Sequence, residues 1–263
     1  TSSLMQWNSF SWNELGVATG DGETIKDSTS LIAQWNLNET SGTTADNAAG
    51  SCGASCDGTL TGFASTASQD QAAGTGWTTA NKRWGAGALM FDGSSDTVQL
   101  GTESNYDFER TNNFSLETWI KTSAAAQGTI LSKLDSNSPF SGFELNIQAN
   151  GALRFNLINT TVTNVVSVTT VNSFNDGRWH HVAVTYSGNS DVSGVILYVD
   201  GVAQTLTTTY NNLSASILNN INLYIGSRNN STLFFNGNID STRIYSRVLT
   251  ASEVLSNYNA SNI

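Results

Sequence analysis

Charge is scarce in this chain, and positive charge is the scarcest. Only 12% of the 263 residues are charged, and 11 Lys and Arg stand against 21 Asp and Glu, which leaves a formal net charge of −10 at pH 7. An acidic surface repels polyanions, so nucleic acid and anionic lipid are not expected as partners. The balance suits calcium or neutral glycans instead.

Long apolar runs and proline are also missing. No segment approaches the roughly 18 consecutive apolar residues that a membrane-spanning helix needs, so membrane insertion is not expected. No signal peptide precedes Thr1, and a chain that starts at Thr rather than Met is expected to be a mature form or a fragment. Pro139 is the only proline, which agrees with central β-strands along the chain, because proline cannot donate to a sheet ladder.

Cysteine and histidine are limited to two residues each. Three flexible residues separate Cys52 from Cys56, which lets a small loop close into a disulfide and indicates an oxidising, extracellular setting. A metal pair is the alternative, but two thiols without a nearby histidine make a poor zinc site. His180 and His181 are adjacent on a predicted strand, so they point to opposite faces and cannot chelate one metal together. The chain also has no Gly-X-Ser-X-Gly elbow that would use either as a catalytic base.

Short segments with apolar residues at alternate positions are abundant. Each ends at Gly, Asn or Asp, which is typical of half-buried strands that end in turns. Asn-Gly and Asp-Gly pairs at 150–151, 176–177 and 200–201 favour antiparallel hairpins. Since 7 Trp, 11 Phe and 7 Tyr are enough to bury one large core, a two-sheet, all-β antiparallel sandwich is predicted. The runs are 31–36, 88–91, 97–100, 114–120, 129–132, 143–147, 153–157, 179–186, 195–201, 223–227 and 237–245.

One helix is predicted, at the C-terminus. Thr250 and Glu253 have the spacing of a capping box, in which each side chain accepts from the other residue's backbone N–H. Leu249 and Val254 have the spacing of a hydrophobic staple. The helix is expected to fold back over the sandwich and shield an edge.

The order of these segments and their amino-acid sequences resemble those of the laminin-G-like domains (laminin G and pentraxin type) of the concanavalin A-like lectin/glucanase superfamily. The similarity covers about 31 to 258, and it implies a jelly roll from 30 to 263. Residues 1–29 lie outside the family pattern, as an N-terminal extension. Ser95 and Thr97 depart from the family, which carries an acid and a tyrosine there. The matching residues are Trp35, Glu39, Ser41, Gly42, Asp46, Gly85, Ala88, Leu89, Phe91, Asp92, Gly93, Asp96, Val98, 114–120, 179–183, 236–240 and 243–249.

The resemblance implies a metal site. In this superfamily a calcium ion often binds where the early Asp-Gly turn meets the closing strand, and hard cations take six to eight oxygen ligands. The implied carboxylate ligands of a structural calcium ion are Asp92, Asp96 and Asp240, with loop carbonyls near Gly93. The alternative interpretation is that Asp92 only caps its own turn.

The resemblance leaves room for an enzyme, but the residues favour a non-catalytic protein. A glucanase of this fold needs Glu-X-Asp-X-X-Glu, so that an acid and a nucleophile project from one strand face about 5 Å apart. No such motif occurs. Glu117 and Glu144 each lack an acidic partner two residues further along.

Aromatic residues in or beside predicted loops are the candidate sugar-stacking groups. The ligand-binding residues predicted are Trp77, Trp84, Phe234 and Phe235; Phe140 and Tyr210 have similar positions. Packing in the core is the alternative for all six.

The N-terminal extension carries Leu4, Trp7, Phe10 and Trp12 in a strand-like pattern. Left in water, such a segment is an aggregation hazard. It is predicted to complete a neighbour's sheet by strand addition, which repeats head to tail and builds a filament. Packing on its own domain and being the stub of a preceding domain are the alternatives.

The predicted function is therefore that of a structural or adhesive subunit outside the cell, at the cell surface, whose partner is another copy of itself. The alternative is a calcium-supported module that binds cell-surface glycans.

Overall fold

A computed structural model describes residues 28–64 and 76–260. Within these residues the chain forms eighteen β-strands and one α-helix. The strands are Leu31–Trp35 (β1), Thr44–Ala45 (β2), Asn47–Ala49 (β3), Gly58–Thr61 (β4), Gly76–Thr78 (β5), Ala88–Asp92 (β6), Thr97–Leu100 (β7), Phe114–Lys121 (β8), Gly128–Leu134 (β9), Gly142–Ile147 (β10), Ala152–Thr160 (β11), Asn164–Ser173 (β12), Trp179–Tyr186 (β13), Val195–Val199 (β14), Val202–Ala203 (β15), Leu206–Asn211 (β16), Leu223–Ile225 (β17) and Asn236–Tyr245 (β18); the helix is Ala251–Ala260 (α1).

The strands form two antiparallel sheets of nine strands each in the described chain. The first sheet has the order β15-β14-β13-β8-β18-β1-β3, and β6 pairs with the first half of β18 and with β5. The second sheet has the order β16-β12-β11-β10-β9-β17-β7-β4-β2. This is the predicted two-sheet jelly-roll sandwich.

Side-chain alternation places the core between the two sheets. On β10, Phe143, Leu145 and Ile147 are buried in the core, while Glu144 and Asn146 lie on the opposite face of the strand. Each such apolar side chain contributes roughly 1.5–3 kcal/mol when it leaves water. The aromatic residues of the two sheets meet in this core, as in the rings of Phe114 on β8 and Phe143 on β10, whose centres are 5.3 Å apart.

The structure confirms the eleven predicted strands to within a few residues and adds others. The two longest additions are β12 and β16. Consecutive valines and threonines in β12 disguise its alternation. Strand β16 lies at a sheet edge with almost every residue exposed, so it has no apolar alternation to detect.

The C-terminal helix begins with the predicted capping box. Thr250 N donates to Glu253 Oε2 at 2.7 Å, and Glu253 N donates to Thr250 Oγ1 at 3.2 Å. Leu249 and Val254 are buried in one cluster with Tyr198 of β14, on the outer face of the first sheet. The helix therefore folds back over the sandwich, as predicted; it lies on a sheet face and also contacts the edge strand β15.

Cys52 and Cys56 form the predicted disulfide, with 5.8 Å between their Cα atoms. No helix in the described part of the chain is long and apolar enough to cross a membrane. Leu4, Trp7, Phe10 and Trp12 lie outside the described residues, so the assignment of 1–29 as a separate extension stays a prediction.

Candidate functional site

An open cavity of about 460 Å³ lies at one end of the first sheet. It forms where β6 ends, where β8 ends and where β18 begins. We call it the rim cavity. Its lining residues are Met90, Phe91, Asp92, Lys121, Thr122, Ser123, Gly177, Asn236, Gly237 and Asn238.

Sheet register brings the cavity's central residues together. Asn238 of β18 pairs with Met90 of β6 on one side and with Lys121 of β8 on the other. Lys121 in turn pairs with Trp179 of β13. Their chain neighbours Ile239 and Ile120 belong to the core, so these four residues form a row on the outer face of the sheet.

Hydrogen bonds hold the walls of the cavity. Thr122 Oγ1 donates to the Asn236 carbonyl at 2.6 Å, and Asn236 Nδ2 donates to the Asp92 carbonyl at 2.9 Å. Gly237 has a φ of +145°, and a Cβ atom there would lie 2.3 Å from the Lys121 carbonyl oxygen. The close approach of β18 to β8 at this point therefore requires glycine.

One polar group in the lining lacks a partner. Asn238 is buried, with 7% of its surface exposed, and its Nδ2 makes no hydrogen bond to any described residue. Lys121 Nζ has only a long contact, 3.3 Å to Asn81 Oδ1. The Asn238 Nδ2 atom is sealed from solvent, so Lys121 Nζ is the donor of this pair that the open cavity presents to a ligand oxygen.

The predicted calcium ligands do not converge. Asp92 caps its own turn: its carboxylate accepts from Ser94 N at 2.7 Å and from Ser94 Oγ at 2.8 Å. Burial alone would raise the pKa of Asp92, but these hydrogen bonds hold it below its usual value. Asp96 is buried behind it and accepts from Asp92 N at 2.8 Å.

Asp240 lies away from that turn, and its carboxylate binds the backbone of a different loop. Its Oδ2 accepts from Arg83 N at 2.8 Å and from Trp84 N at 3.1 Å, which fixes the 83–84 loop over the outer face of the first sheet. The Arg83 guanidinium then lies 4.3 Å from the Trp84 ring centre and 4.5 Å from that of Trp119.

The predicted metal trio was therefore wrong as a set. Across 28–64 and 76–260 no three His, Cys, Asp or Glu side chains are grouped so that they could hold a metal ion. Calcium binding stays a prediction that the positions of Asp92, Asp96 and Asp240 do not support.

Two of the four predicted ligand-binding aromatic residues are in the core. Trp77 is fully buried on β5, and its Nε1 donates to the Gly42 carbonyl at 2.8 Å. Phe235 is also fully buried and packs edge-on against Phe91, with ring centres 6.1 Å apart. For these two residues the stacking prediction was wrong, because neighbouring strands cover them. Trp84 and Phe234 are half-buried and keep a surface that a ligand can reach.

The two histidines lie on opposite faces, as predicted. His180 is half-buried, and its Nδ1 lies 2.8 Å from Asp200 Oδ2, which raises the pKa of the imidazole. His181 is fully buried on the outer face of the first sheet, 5.3 Å from the Trp119 ring centre. Burial lowers the pKa of His181 to about 3.

Sequence reasoning missed a group of buried polar residues, which we call the sealed cluster: Glu117, His181, Arg243 and Asn257. Glu117 of β8 pairs with Arg243 of β18, and Asn257 Nδ2 of α1 donates to Glu117 Oε2 at 2.9 Å. His181 Nε2 lies 3.8 Å from Glu117 Oε1. Burial raises the pKa of Glu117 to about 7, although Arg243 and the Asn257 hydrogen bond oppose the shift.

The sealed cluster fastens the helix to the sheet. All four residues are at most 5% exposed, so no substrate reaches them while α1 is docked. The polar outward positions on three adjacent predicted strands were a signal for such a cluster, but the sequence alone does not say that α1 covers them.

Two antiparallel sheets packed face to face, with an open polar rim, define a lectin-type jelly-roll sandwich. The family model Laminin_G_3 of the concanavalin A-like lectin/glucanases superfamily matches residues 91–255, more than half of the chain. The chain belongs to this family, which confirms the resemblance seen in the sequence. A search of curated protein sequences finds no match.

Solved structures share the fold at low sequence identity. The binding domain of Paraclostridial Mosquitocidal Protein 1 matches with a TM-score of 0.61 and 14% identity, over 88% of this chain and 52% of that one. Trypanosoma rangeli sialidase matches with a TM-score of 0.61 and 12% identity, over 89% of this chain and 34% of the sialidase. The binding domain of botulinum neurotoxin serotype G matches with a TM-score of 0.57 and 17% identity, over 87% of this chain and 50% of that domain. The chain thus spans about half or less of these proteins, and the likeness shows the fold alone.

Proposed function

We propose that this domain is a non-catalytic carbohydrate-binding module that works outside the cell and holds its ligand in the rim cavity. The observation that carries the proposal is the open, polar cavity of about 460 Å³ whose lining includes Lys121, with only a 3.3 Å contact from its Nζ to Asn81 Oδ1. Amide, hydroxyl and ammonium groups in one concave site suit the hydroxyl-rich surface of a sugar.

The chemistry of the cavity favours binding over catalysis. Asp92 is the only acidic residue among the described residues that line it, whereas glycoside hydrolysis uses two carboxyl groups that flank the bond to be cleaved. The buried glutamate whose pKa is raised, Glu117, lies under α1 instead. A sugar in the rim cavity therefore meets no acid and base pair from the described chain.

The similar structures and the disulfide support the remaining parts of the proposal. Two of the similar structures are described as binding domains. The bond between Cys52 and Cys56 persists most readily in an oxidising, extracellular setting. Calcium is not part of the proposal, because Asp240 lies apart from Asp92 and Asp96 and binds the backbone of Arg83 and Trp84 instead.

Binding to a broad glycan array, followed by titration of the sugar that binds, tests the proposal. Lys121→Ala is expected to weaken binding about tenfold, because it removes a hydrogen-bond donor from a half-enclosed site. Lys82→Ala is the matched control, since it removes the same charge from an exposed lysine outside the cavity lining. Binding to no sugar class, or equal affinity in both variants, would contradict the proposal.

Assembly through the N-terminal strand is a second proposal, and one observation favours it. In the described chain β16 pairs with β12 on one side only, and its residues are almost all exposed. An open edge of this kind can accept a strand from a neighbour. Deletion of residues 1–15, which removes Leu4, Trp7, Phe10 and Trp12, is then expected to abolish polymers and leave the sandwich folded. Analytical ultracentrifugation measures the oligomeric state of the full chain and of the deletion variant. If both are monomers, the assembly proposal is wrong.

A further inference from the structure

His180 lies between two aspartates, and each of its ring nitrogens contacts one of them. Nδ1 is 2.8 Å from Asp200 Oδ2, and Nε2 is 3.1 Å from Asp176 Oδ1. A neutral imidazole has only one N–H donor, and a carboxylate oxygen repels the lone pair on its other nitrogen. Both contacts are therefore favourable only when the ring carries two protons and a positive charge.

Both aspartates belong to turns, so His180 joins one turn to another. Asp176 lies in the turn before β13, and Asp200 lies in the turn after β14. The side chain of His180 is 13% exposed, so water screens the two contacts only in part. Arg178 is the other charged residue of these turns, but its side chain is 82% exposed and its Nε lies 3.8 Å from Asp176 Oδ2.

The neighbouring strands present apolar residues to the His180 ring. Phe174, which follows β12, meets the ring edge-on, with ring centres 5.5 Å apart. On β8 the paired residue is Ile120, which belongs to the core. The charged residues of β8, Glu117 and Lys121, alternate with core residues and lie on the outer face of the sheet. Among the described residues, the two aspartates therefore determine the charge of His180.

The charged form of His180 is favoured in the folded domain. The hydrogen bond to Asp200 raises the pKa of the imidazole above the usual 6.5, burial opposes the shift, and the contact with Asp176 adds to it. Because the folded pKa lies above the usual value, the charged ring stabilises the two turns fully below pH 6.5. This stabilisation is lost as the pH rises through the folded pKa.

The turn that His180 holds is a wall of the rim cavity. Gly177 lines the cavity, and its N–H donates to the Thr122 carbonyl at 2.9 Å. The contact of His180 with Asp176 attaches the same turn to the turn at 200–201. Of these two attachments, only the second depends on a proton.

We propose that His180 is a pH switch for the rim cavity. When it is charged, the ring clamps the turn at 176–178 to Asp200 and fixes the cavity wall. When it is neutral, one of the two carboxylate contacts is lost and the wall loosens, so a ligand in the cavity binds more weakly at alkaline pH. The part of this inference that concerns a sugar rests on the proposed function, whereas the clamp is a property of the fold.

An NMR titration of the full chain from about pH 5 to pH 10 tests the charge of the ring. The chain has two histidines, and His181 is the internal control: burial lowers its pKa to about 3, so its ring stays neutral throughout. We expect His180 to titrate with a pKa above 6.5, and Asp200→Asn to bring that pKa back toward 6.5. A His180 pKa at or below 6.5 in the wild type would overturn the proposal.

Hydrogen exchange at the Gly177 amide tests the clamp. Protection factors, which remove the intrinsic effect of pH on exchange, are compared at about pH 6 and pH 9. We expect the protection of Gly177 to fall about tenfold at the higher pH in the wild type, and to be independent of pH in His180→Gln. The control amide is Gly194, whose N–H donates to the Asp191 carbonyl at 3.0 Å between β13 and β14. Constant protection of Gly177, or the same fall at Gly194, contradicts the clamp.

Asp176→Asn is a second, milder variant. Asp176 Oδ1 also accepts from Arg178 N at 2.9 Å, and the asparagine oxygen keeps this bond while the charge that faces His180 is removed. We expect Gly177 to be weakly protected at both pH values in this variant. Protection that still falls with pH as in the wild type would show that the Asp176 contact is not the clamp. Circular dichroism melting confirms that each variant is folded.

The sugar identified on the glycan array connects the clamp to binding. Its affinity for the wild type should be about tenfold lower at pH 9 than at pH 6, and its affinity for His180→Gln should be the same at both. Equal wild-type affinity at both pH values would overturn the switch and leave the proposed function in place. If no sugar binds, the proposed function is wrong; pH-dependent protection of Gly177 then still supports the clamp, and constant protection overturns it.

Discussion

Glu117 and Glu144 both lie near the middle of a sheet, and they are accommodated in opposite ways. Glu144 is held by a two-point contact with Arg228, whereas Glu117 accepts a hydrogen bond from an uncharged amide, that of Asn257. Burial raises the pKa of Glu117 to about 7. A proton on Glu117 thus belongs to the stable form of the folded domain at mildly acidic pH.

This difference predicts that Glu117→Gln changes the free energy of unfolding by an amount that depends on pH. The folded pKa lies above the usual 4.5, so the protonated carboxyl stabilises the fold below about pH 4.5, and that stability is lost as the pH rises through 7. Glutamine mimics the protonated form. We expect the variant to match the wild type near pH 4.5 and to be more stable by about 3 kcal/mol at most above pH 8.

Urea unfolding at several pH values measures this effect. Glu109→Gln is the control of opposite sign: although burial alone would raise the pKa of Glu109, hydrogen bonds from Ser216, Arg110 and Ile217 hold it below the usual value. The ionised Glu109 carboxylate stabilises the fold above pH 4.5, and this stabilisation is lost in acid. Glu109→Gln should therefore be less stable than the wild type at pH 8. If Glu117→Gln were also destabilised there, Arg243 would be holding Glu117 ionised.

Trp77 and Trp84 provide a second contrast between residues of one type. Trp77 is fully buried, so Trp77→Ala is expected to cost about 3–5 kcal/mol of unfolding free energy. Trp84 is half-buried and stacks on Arg83, so Trp84→Ala should cost roughly 1 kcal/mol. Thermal melts of both variants check this, and equal stability losses would show that Trp84 is a core residue.

At the scale of elements, α1 depends on its first turn and on two buried contacts with the sheet. The capping box satisfies backbone groups at the start of the helix, Val254 packs on the sheet, and Asn257 bonds Glu117. A ten-residue helix is marginal alone in water. Its stability therefore comes from the sheet that it covers.

The capping box is expected to contribute measurably to the free energy of unfolding. Thr250→Ala removes the hydroxyl that accepts from Glu253 N, and it should lower the unfolding free energy by about 1 kcal/mol. Asn259→Ala, an exposed change in the same helix, is the control and should not be destabilising. Chemical denaturation measures both, and an unchanged midpoint for Thr250→Ala would show that the cap is replaceable by solvent.

At the scale of the whole molecule, the core between two nine-stranded sheets carries the stability, and the disulfide is a local addition. The bond joins residues only four apart, so in the chain-entropy account it constrains a very short loop. Nothing in the strand order depends on it.

Removal of the disulfide should therefore weaken the domain without unfolding it. The double variant Cys52→Ser, Cys56→Ser is expected to lose about 2 kcal/mol, from the entropy of closing a five-residue loop. Reduced wild type is the matched comparison. Near-ultraviolet circular dichroism should keep its folded signature, and loss of that signature in both samples would make the bond essential to the fold.

Alternation at period two and turn residues were sufficient to determine the sandwich, most strands, the capped helix and the disulfide, because each is encoded by neighbours in the chain. They did not determine which side chains meet. Asp92 and Asp240 were expected in one metal shell, yet the register of β18 against β6 and β8 directs Asp240 toward Arg83. Trp77 looked like a loop residue until the pairing of β5 with β6 buried it.

The sealed cluster also depends on strand order. A strand's own sequence fixes which residues share a face, but their neighbours on that face come from strands far away in the chain, such as β8 and β18. Local spacing therefore decided the architecture of this protein. Only the long-range pairing of strands decided where its charges are neutralised and where the rim opens.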